Sequence, residues 1–269
     1  MSPLAAVIQM NSGSDRSVNL SMAEGLMEAA VARGARLLVL PENFSFFGGN
    51  EEEKRAARED PENGPSLTFL KEFAARHRVW VVGGSVPLAD PASGKALNTC
   101  FLVDETGNAC ARYDKMHLFD VDVGDGSRYR ESDQVRPGTR PVVAQTPFGR
   151  IGLAICYDLR FPELFRALVA QDAEIFTLPA AFTVVTGRDH WETLIKARAI
   201  ENFAYVLAAG QWGQHAAGRQ TYGRSLVVEP WGMVVAQCAD GVGFALAPLE
   251  RERVVQCRQR IPCLTHRKL

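Results

Sequence analysis

The sequence lacks several features that would by themselves restrict its function. No two of its six cysteines form a Cys-x-x-Cys pair, and neither they nor the five histidines cluster at metal-ligand spacing. No apolar run is long enough to cross a bilayer. The formal net charge of −1 provides no overall field that would attract nucleic acid or an anionic membrane. We therefore expect no metal, no membrane and no nucleic acid as partners.

The N-terminus also lacks a basic segment followed by an apolar signal core, because residues 1–4 lead directly into a strand-like segment. We therefore expect a cytoplasmic protein whose thiols are reduced. All the cysteines except Cys156 are expected to be apolar filler. No linker or low-complexity segment divides the 269 residues, so we expect one domain over residues 1–269 with a sizeable core.

Short apolar strands alternate with helical segments along most of the chain. Helices are predicted at 18–33, 66–76 (capped by Ser66), 163–171, 190–202 and 249–260. Strands are predicted at 4–10, 37–40, 79–86, 96–103, 109–113, 142–145, 151–155, 175–178, 205–209, 225–228, 233–237 and 243–247. Residues 48–61 are expected to form a surface loop or short helix near the site entrance, and residues 120–138 a long loop. This order predicts an α/β fold, without separating two packed sheets from one doubly wound sheet.

Chemistry is indicated most strongly around Cys156, which lies where the predicted strand 151–155 ends. Pro162 then indicates the first turn of the next helix. A nucleophile suits this position, because the sheet holds the backbone rigid while the loop leaves the sulfur and nearby N–H groups accessible. A buried core cysteine is the alternative, and the polar neighbours Asp158, Arg160 and Glu163 keep both interpretations open.

Glu42 and Lys115 each follow a predicted strand directly, and Glu131 lies in the predicted long loop. Taken singly, each has a plain interpretation as a capping or solvated charge. Together with Cys156 they make chemical sense. A carboxylate can accept the thiol proton and later deliver it to a leaving amine. A lysine ammonium can stabilise a thiolate and then an oxyanion, with the backbone N–H of Tyr157 as a second oxyanion donor.

Four motifs, in their order along the chain, resemble the nitrilase superfamily of carbon–nitrogen hydrolases. They are Pro-Glu at 41–42, Asp-Lys-Met-His-Leu-Phe-Asp at 114–120, Tyr-Arg-Glu-Ser at 129–132 and Cys-Tyr-Asp-Leu-Arg-Phe-Pro-Glu at 156–163. The resemblance implies Glu42 as general base and acid, Lys115 as oxyanion stabiliser and Cys156 as nucleophile. It implies that Glu131 orients the lysine and the substrate. It also implies a four-layer αββα sandwich of two mixed β-sheets covered by helices, a homodimer or larger assembly, and no organic cofactor or metal.

Further segments resemble one branch of this superfamily, the small ω-amidase-like members, at 178–183, 186–192 and 198–202. Residues 222–225 and 230–232 are most similar to deaminated glutathione amidases. The implied reaction is hydrolysis of the terminal amide of a small carboxylate-bearing substrate through a thioester, with deaminated glutathione as the expected substrate. α-Ketoglutaramate-type amides, N-carbamoyl amino acids and nitriles are alternative substrates. The non-enzyme alternative is a non-catalytic binding protein of the same fold.

The walls of the expected pocket come from residues beside the catalytic segments: Phe44, Tyr157, Phe182 and Thr183. Arg160 either binds a substrate carboxylate through its guanidinium fork or pairs with Asp158 or Glu163 as a structural clamp. A papain-like arrangement, in which His117 or His190 pairs with the cysteine, has no support from the sequence.

Overall fold

A computed structural model describes residues 2–122 and 128–268, without the side chain of Ala217. The helices are α1 (Arg16–Ala32), α2 (Glu51–Ala56), α3 (Pro65–His77), α4 (Pro162–Val169), α5 (Val184–Asn202) and α6 (Arg251–Arg260). The first sheet contains β1 (Leu4–Gln9), β2 (Ala35–Val39), β3 (Trp80–Val82), β4 (Val86–Ala89), β5 (Ala96–Val103), β6 (Ala109–Asp114) and β17 (Gly243–Pro248). The second contains β9 (Val143–Thr146), β10 (Gly149–Leu153), β11 (Ile175–Ala180), β12 (Tyr205–Gly210), β15 (Leu226–Val228) and β16 (Val234–Gln237). Two short ribbons pair β7 (Asp120–Asp122) with β8 (Arg128–Arg130) and β13 (Trp212–Gln214) with β14 (Gln220–Tyr222).

Both sheets mix parallel and antiparallel pairs. The first has the order β17-β1-β2-β3-β5-β4, with β6 also paired to β5, and its parallel pairs are β1/β2 and β2/β3. The second has the order β16-β15-β12-β11-β10-β9, with β10, β11 and β12 parallel. Helices cover the outer faces, which makes the fold an αββα sandwich of two mixed sheets. No helix among the described residues is long and apolar enough to span a membrane.

The core forms where the two sheets face each other and where each meets its helices. On β1, Ala5 and Val7 belong to the cluster between the sheets, whereas Ala6 and Ile8 pack in the cluster with α1 and α3. This split follows from the two-residue period of a strand, which points successive side chains to opposite faces. Both faces of the central strands are buried, which explains why these strands are continuous apolar runs in the sequence.

The structure corrects the predicted strand 79–86, which divides into β3 and β4. Gly84 lies between them with φ +54°, and a side chain there would approach the Pro41 carbonyl oxygen to 2.2 Å. The prediction that Ser66 caps a helix is also wrong. Pro65 takes the first helical position and Gly64 the cap, while the Ser66 hydroxyl donates to Glu59 at 2.5 Å.

Three further predictions change at loops and helix ends. Residues 120–138 are not simply a long loop, since they include β7, β8 and the 3-10 helix Glu131–Asp133, while residues 123–127 lie outside the described part. The helix predicted from 190 begins at 184, because the Thr183 hydroxyl accepts from the Thr186 N–H and caps it. The segment 48–61 contains α2, the short helix that was one of its two expected forms, with a capping box between Asn50 and Glu53.

The cysteines also divide differently from expectation. Cys100, Cys238 and Cys257 are buried, in agreement with a role as apolar filler, but Cys110 is exposed and Cys263 half-buried. Cys110 lies on β6, which pairs with β5. The first residues of β6 are exposed, so the Cys110 side chain reaches solvent. The apolar-filler interpretation is therefore wrong for these two residues.

Candidate active site

The candidate catalytic residues lie just beyond the ends of strands from both sheets. Glu42 follows β2, Lys115 follows β6 and Cys156 follows β10. In α/β folds the segments beyond the carboxyl ends of strands form the usual site for ligands. These three residues and Glu131 all line one cavity of about 1010 Å³. Residues far apart in sequence thus meet in a space large enough for a peptide-sized molecule.

Lys115 is held between two carboxylates. Its Nζ donates to Glu42 Oε1 at 2.9 Å and to Glu131 Oε2 at 2.8 Å, and only 2% of its side chain is exposed. Asn98, which no pattern in the sequence distinguishes, contacts the same two carboxylates. Its Nδ2 donates to Glu42 Oε1 at 3.0 Å and to Glu131 Oε1 at 3.1 Å. With every group ionised, the buried set carries one net negative charge, next to the sulfur of Cys156.

The protonation states follow from burial and from this ion pairing. Burial, the largest influence, favours a higher pKa for Glu42, but the Lys115 ammonium, a hydrogen bond with Cys156 and the charge of Arg219 together outweigh it. The pKa of Glu42 therefore lies below its ordinary 4.5. Burial likewise favours a lower pKa for Lys115, but Glu131 and Glu42 raise it above 10.5. At neutral pH, Glu42 is therefore a carboxylate and Lys115 an ammonium.

Cys156 is a thiol at rest. Burial, assisted by the Glu42 carboxylate, raises the pKa of Cys156 well above 9.0, and neither Lys115 nor the Ala181 N–H, which lies 3.5 Å from Sγ, offsets this. The Lys115 ammonium does favour the thiolate, as expected, but burial and the Glu42 carboxylate outweigh it. The arrangement instead provides a protonated sulfur with an ionised carboxylate ready to accept its proton.

The backbone at Cys156 has an unusual conformation, with φ +49° at the start of the 3-10 helix Cys156–Arg160. Asp158 fixes this turn. Its fully buried carboxylate accepts from the Ile155 N–H at 2.8 Å, the Tyr113 hydroxyl at 2.7 Å and the His117 N–H at 3.1 Å. Tyr113 and His117 flank Lys115 in sequence, so one carboxylate joins the segment that carries the sulfur to the segment that carries the ammonium.

Replacing Asp158 by alanine is expected to lower the free energy of unfolding by about 3–5 kcal/mol, because several buried donors lose a charged acceptor together. Urea unfolding followed by circular dichroism measures the change. Asp240→Ala is the matched control, since that carboxylate is exposed beside Arg224 and its loss is expected to cost at most about 0.5 kcal/mol. Equal urea midpoints for the two variants would contradict the structural role of Asp158.

The expected pocket walls are placed unequally. Tyr157, Phe182 and Thr183 line the cavity, but Phe44 does not: it is fully buried in the core cluster with α1 and α3, with its ring 6.5 Å from that of Phe69. Its placement as a wall is wrong, because the chain turns at Asn43, whose φ is +56°. The later residues Phe46 and Phe47 line the cavity in its place.

Arg160 lines the cavity and does not form the structural clamp that was its alternative role. Within the described residues it has no ion pair with Asp158 or Glu163, and its nearest polar partner is His190 Nδ1, 3.3 Å from Nη1. Its guanidinium carbon lies 5.5 Å from the ring centroid of Phe182 and 6.0 Å from that of Tyr157. Aromatic faces thus hold the cation at the cavity wall.

The histidines do not supply a base for the sulfur. His117 binds Asp158 and stacks on Phe161 at 3.8 Å, and His190 lies beside Arg160. His215, which sequence reasoning did not select, lines the cavity. Burial lowers the pKa of His215 to about 4, so its neutral ring donates through Nδ1 to the Ser12 carbonyl at 2.8 Å. Among the described residues, no three His, Cys, Asp or Glu side chains gather as a set that could hold a metal ion.

The sequence and the fold are similar to those of known proteins. The carbon-nitrogen hydrolase family model matches residues 4–259. A deaminated glutathione amidase of Synechocystis sp. (strain PCC 6803 / GT-S) is 44% identical over 267 residues, covering 98% of this chain and 97% of that relative. The crystal structure of Saccharomyces cerevisiae Nit3, a member of branch 10 of the nitrilase superfamily, is similar with a TM-score of 0.89 and 30% identity, over 99% of this chain and 97% of that one. An amidase mutant from Nesterenkonia sp. AN1, in which acrylamide has added to the active-site cysteine, has a TM-score of 0.80 and 26% identity, over 97% and 98%.

Proposed function

The chain belongs to the carbon–nitrogen hydrolase family, and from this premise we propose that it is a cysteine-dependent amidase that hydrolyses deaminated glutathione. Amidase chemistry follows from the family and from amidase relatives that align over nearly the whole chain. The observation that carries the site assignment is the buried contact of Lys115 with Glu42 and Glu131 in the cavity that contains Cys156. Deaminated glutathione is the substrate named for relatives at 44% and 42% identity.

The first half of the reaction forms a thioester. Cys156 Sγ attacks the amide carbonyl carbon while Glu42 takes the thiol proton, so a carbon–sulfur bond forms and the carbonyl oxygen becomes an oxyanion. The Lys115 ammonium and the Tyr157 N–H stabilise that oxyanion. Tyr157 lies in the first turn of the 3-10 helix Cys156–Arg160, where leading N–H groups have no acceptor within the helix. The carbon–nitrogen bond then breaks, and Glu42 gives its proton to the departing amine.

The second half reverses the proton movements with water as the nucleophile. Glu42, again a carboxylate, takes a proton from water while the water oxygen attacks the thioester carbon. The carbon–sulfur bond breaks, the acid leaves, and the sulfur regains a proton from Glu42. Glu131 holds Lys115 in position throughout by its two contacts at 2.8 and 3.1 Å. Arg160 binds the carboxylate at the acyl end of the substrate, since aromatic rings hold its guanidinium at the wall and no described carboxylate neutralises it.

The dependence of kcat/KM on pH is expected to have its acidic limb below pH 4.5, because Glu42 acts as a base only when ionised and its pKa is lowered from 4.5. A pH profile from about 2.5 to 9 measures this limb. A limb near pH 6.5, the ordinary histidine value, would instead identify a histidine as the base and contradict the assignment of Glu42.

A substrate panel tests the substrate. We expect ammonia or amine release to be fastest with deaminated glutathione, slower with α-ketoglutaramate, and slower again with an N-carbamoyl amino acid and a nitrile. The reason is that only the first substrate occupies both ends of a cavity of about 1010 Å³. A higher kcat/KM for α-ketoglutaramate would assign the chain to ω-amidase activity and overturn the substrate proposal while leaving amidase chemistry intact.

Three other expectations from the sequence stay predictions: the single domain over residues 1–269, the cytoplasmic location and the homodimer. The last has the simplest test. Light scattering coupled to size exclusion is expected to give twice the 29.5 kDa chain mass. A mass of one chain at micromolar concentration would contradict the homodimer.

A further inference from the structure

Arg219 is a cavity-lining cation that has no part in the mechanism described above. It follows the 3-10 helix Ala216–Gly218 between β13 and β14. Its guanidinium carbon lies 4.8 Å from the ring centroid of Phe47 and 5.3 Å from that of Tyr129. Its Nη2 donates to the Ala181 carbonyl at 3.2 Å, whereas its buried Nε has no partner within the described part of the chain. Arginine has five N–H donors, so this side chain retains donors for an anionic ligand.

Arg219 and Arg160 line the same cavity but are held by different segments of the chain. Arg160 belongs to the same 3-10 helix as Cys156 and packs against Tyr157 and Phe182. Arg219 packs against Phe47, five residues after Glu42, and Tyr129, two residues before Glu131. Its charge also lowers the pKa of Glu42. The cavity thus has two aromatic-held cations, one on the helix that carries Cys156 and one whose charge acts on Glu42.

The side of the general base is the side of the leaving amine, because Glu42 must deliver a proton to the departing nitrogen. In deaminated glutathione the leaving amine is the cysteinylglycine dipeptide, which ends in a carboxylate. Two extended residues reach about 7 Å beyond that nitrogen. A guanidinium on this flank is therefore suited to the terminal carboxylate of the leaving group, which it can bind through two parallel N–H donors.

We propose that Arg219 binds the terminal carboxylate of the leaving dipeptide and thereby makes the enzyme selective for amides of a C-terminal peptide acid over amides of ammonia. This inference rests on the proposed function, and it assigns to the same site the residue that recognises the leaving group. α-Ketoglutaramate, whose leaving group is ammonia, has nothing to occupy this contact.

The test compares deaminated glutathione with its C-terminal glycinamide, which has the same shape but lacks the terminal charge. With the wild-type enzyme, we expect the glycinamide to have a kcat/KM lower by about 10- to 100-fold, chiefly through KM, as for loss of a charge-assisted hydrogen bond. Arg219→Gln should lower kcat/KM for the acid by a similar factor. It should lower the already reduced kcat/KM for the glycinamide only slightly further. The kcat/KM of Arg219→Lys with the acid should lie between those of the wild type and Arg219→Gln, because lysine keeps the charge but not the forked pair of donors. Hydrolysis of α-ketoglutaramate, which has no leaving-group carboxylate, should fall by a smaller factor than hydrolysis of the acid in both variants.

Arg150→Gln is the matched control, since Arg150 pairs with Asp172 at the surface and does not line the cavity. It should change neither kinetic constant with either substrate. If Arg219→Gln lowers kcat by the same factor for the acid, the glycinamide and α-ketoglutaramate, Arg219 acts on Glu42, and the proposal is overturned. If the glutamine variant does not fold, judged by circular dichroism, the lysine variant carries the same comparison.

Binding to Cys156→Ala protein by calorimetry separates this proposal from the proposed function. That protein should bind the acid more tightly than the glycinamide by the same 10- to 100-fold, and Arg219→Gln should remove the difference. If the wild-type enzyme fails to hydrolyse deaminated glutathione but this binding difference is present, the proposed function fails and the carboxylate site stands. If hydrolysis occurs and the binding difference is absent, the amidase stands and the role of Arg219 is wrong.

Discussion

Replacing Cys156 by alanine is expected to lower kcat for deaminated glutathione by about 10⁴- to 10⁶-fold, the range found when a covalent nucleophile is removed. The reason is structural as well as chemical. In the proposed mechanism, Cys156 is the side chain that Glu42 deprotonates to form the thioester. Without its thiol the thioester cannot form, so the oxyanion donors have no intermediate to stabilise. Release of cysteinylglycine, followed with an amine reagent because only the product has a free α-amino group, measures the loss. Electrospray mass spectrometry of the quenched wild-type enzyme should show the acyl adduct on Cys156.

The control for this variant is Cys238→Ala, because the two cysteines are almost equally buried, at 6% and 7% exposure, and only Cys156 lines the cavity. Cys238→Ala should retain wild-type kcat. Turnover that persists in Cys156→Ala at more than about one hundredth of the wild-type rate would show that the sulfur is not the nucleophile. Equal loss of activity in both variants would indicate damage to the fold instead.

Replacing Lys115 by methionine is expected to affect stability and activity together. The free energy of unfolding should fall by about 3–5 kcal/mol, because Glu42 and Glu131 would face each other in a buried site without their shared cation. The kcat should fall by at least about 10²- to 10³-fold, as for removal of one oxyanion donor. Urea unfolding at pH 7 and steady-state kinetics measure the two effects.

The dependence of stability on pH provides a further check on Lys115. In the wild type the pKa of Glu42 is lowered in the folded state, so its contribution to stability is present above pH 4.5 and is lost as the pH falls through its folded value. Without the ammonium, burial dominates and raises the carboxylate pKa in the folded state. Lys115→Met protein should therefore become more stable relative to wild type as the pH falls, and an unchanged difference across pH would contradict the ion-pair explanation.

Two controls separate the roles of Lys115. Lys196→Met removes a lysine from an exposed pair with Glu192 and should change stability by at most about 0.5 kcal/mol. Adding Glu131→Gln to Lys115→Met removes one of the two opposing charges, so it should recover part of the stability without recovering activity. Recovery of both would mean that Lys115 acts only by neutralising Glu131.

Local sequence patterns determined most of the elements and most of the site. Apolar runs with turns at their ends predicted the strands because both faces of the central strands are buried, and the residues just beyond those runs, Glu42, Lys115 and Cys156, were selected because strand ends present side chains to a shared edge. The four family motifs supplied a prediction that spacing does not contain, namely that these residues and Glu131 act together.

The tertiary structure alone decided the features that depend on partners distant in the sequence. Asn98 contacts Glu42 only because the fold brings β5 against that residue. Asp158 contacts Tyr113 only because the fold brings the 3-10 helix Cys156–Arg160 against β6. The burial that keeps Cys156 protonated, and the turn at Asn43 that sends Phe44 into the core, depend on packing around them. Arg219 has no recognisable motif, and its position between Phe47 and Tyr129 arises only when two segments remote in the chain fold over the cavity. A one-dimensional pattern records periodicity and residue type, whereas charge states and contacts across the cavity require the three-dimensional arrangement.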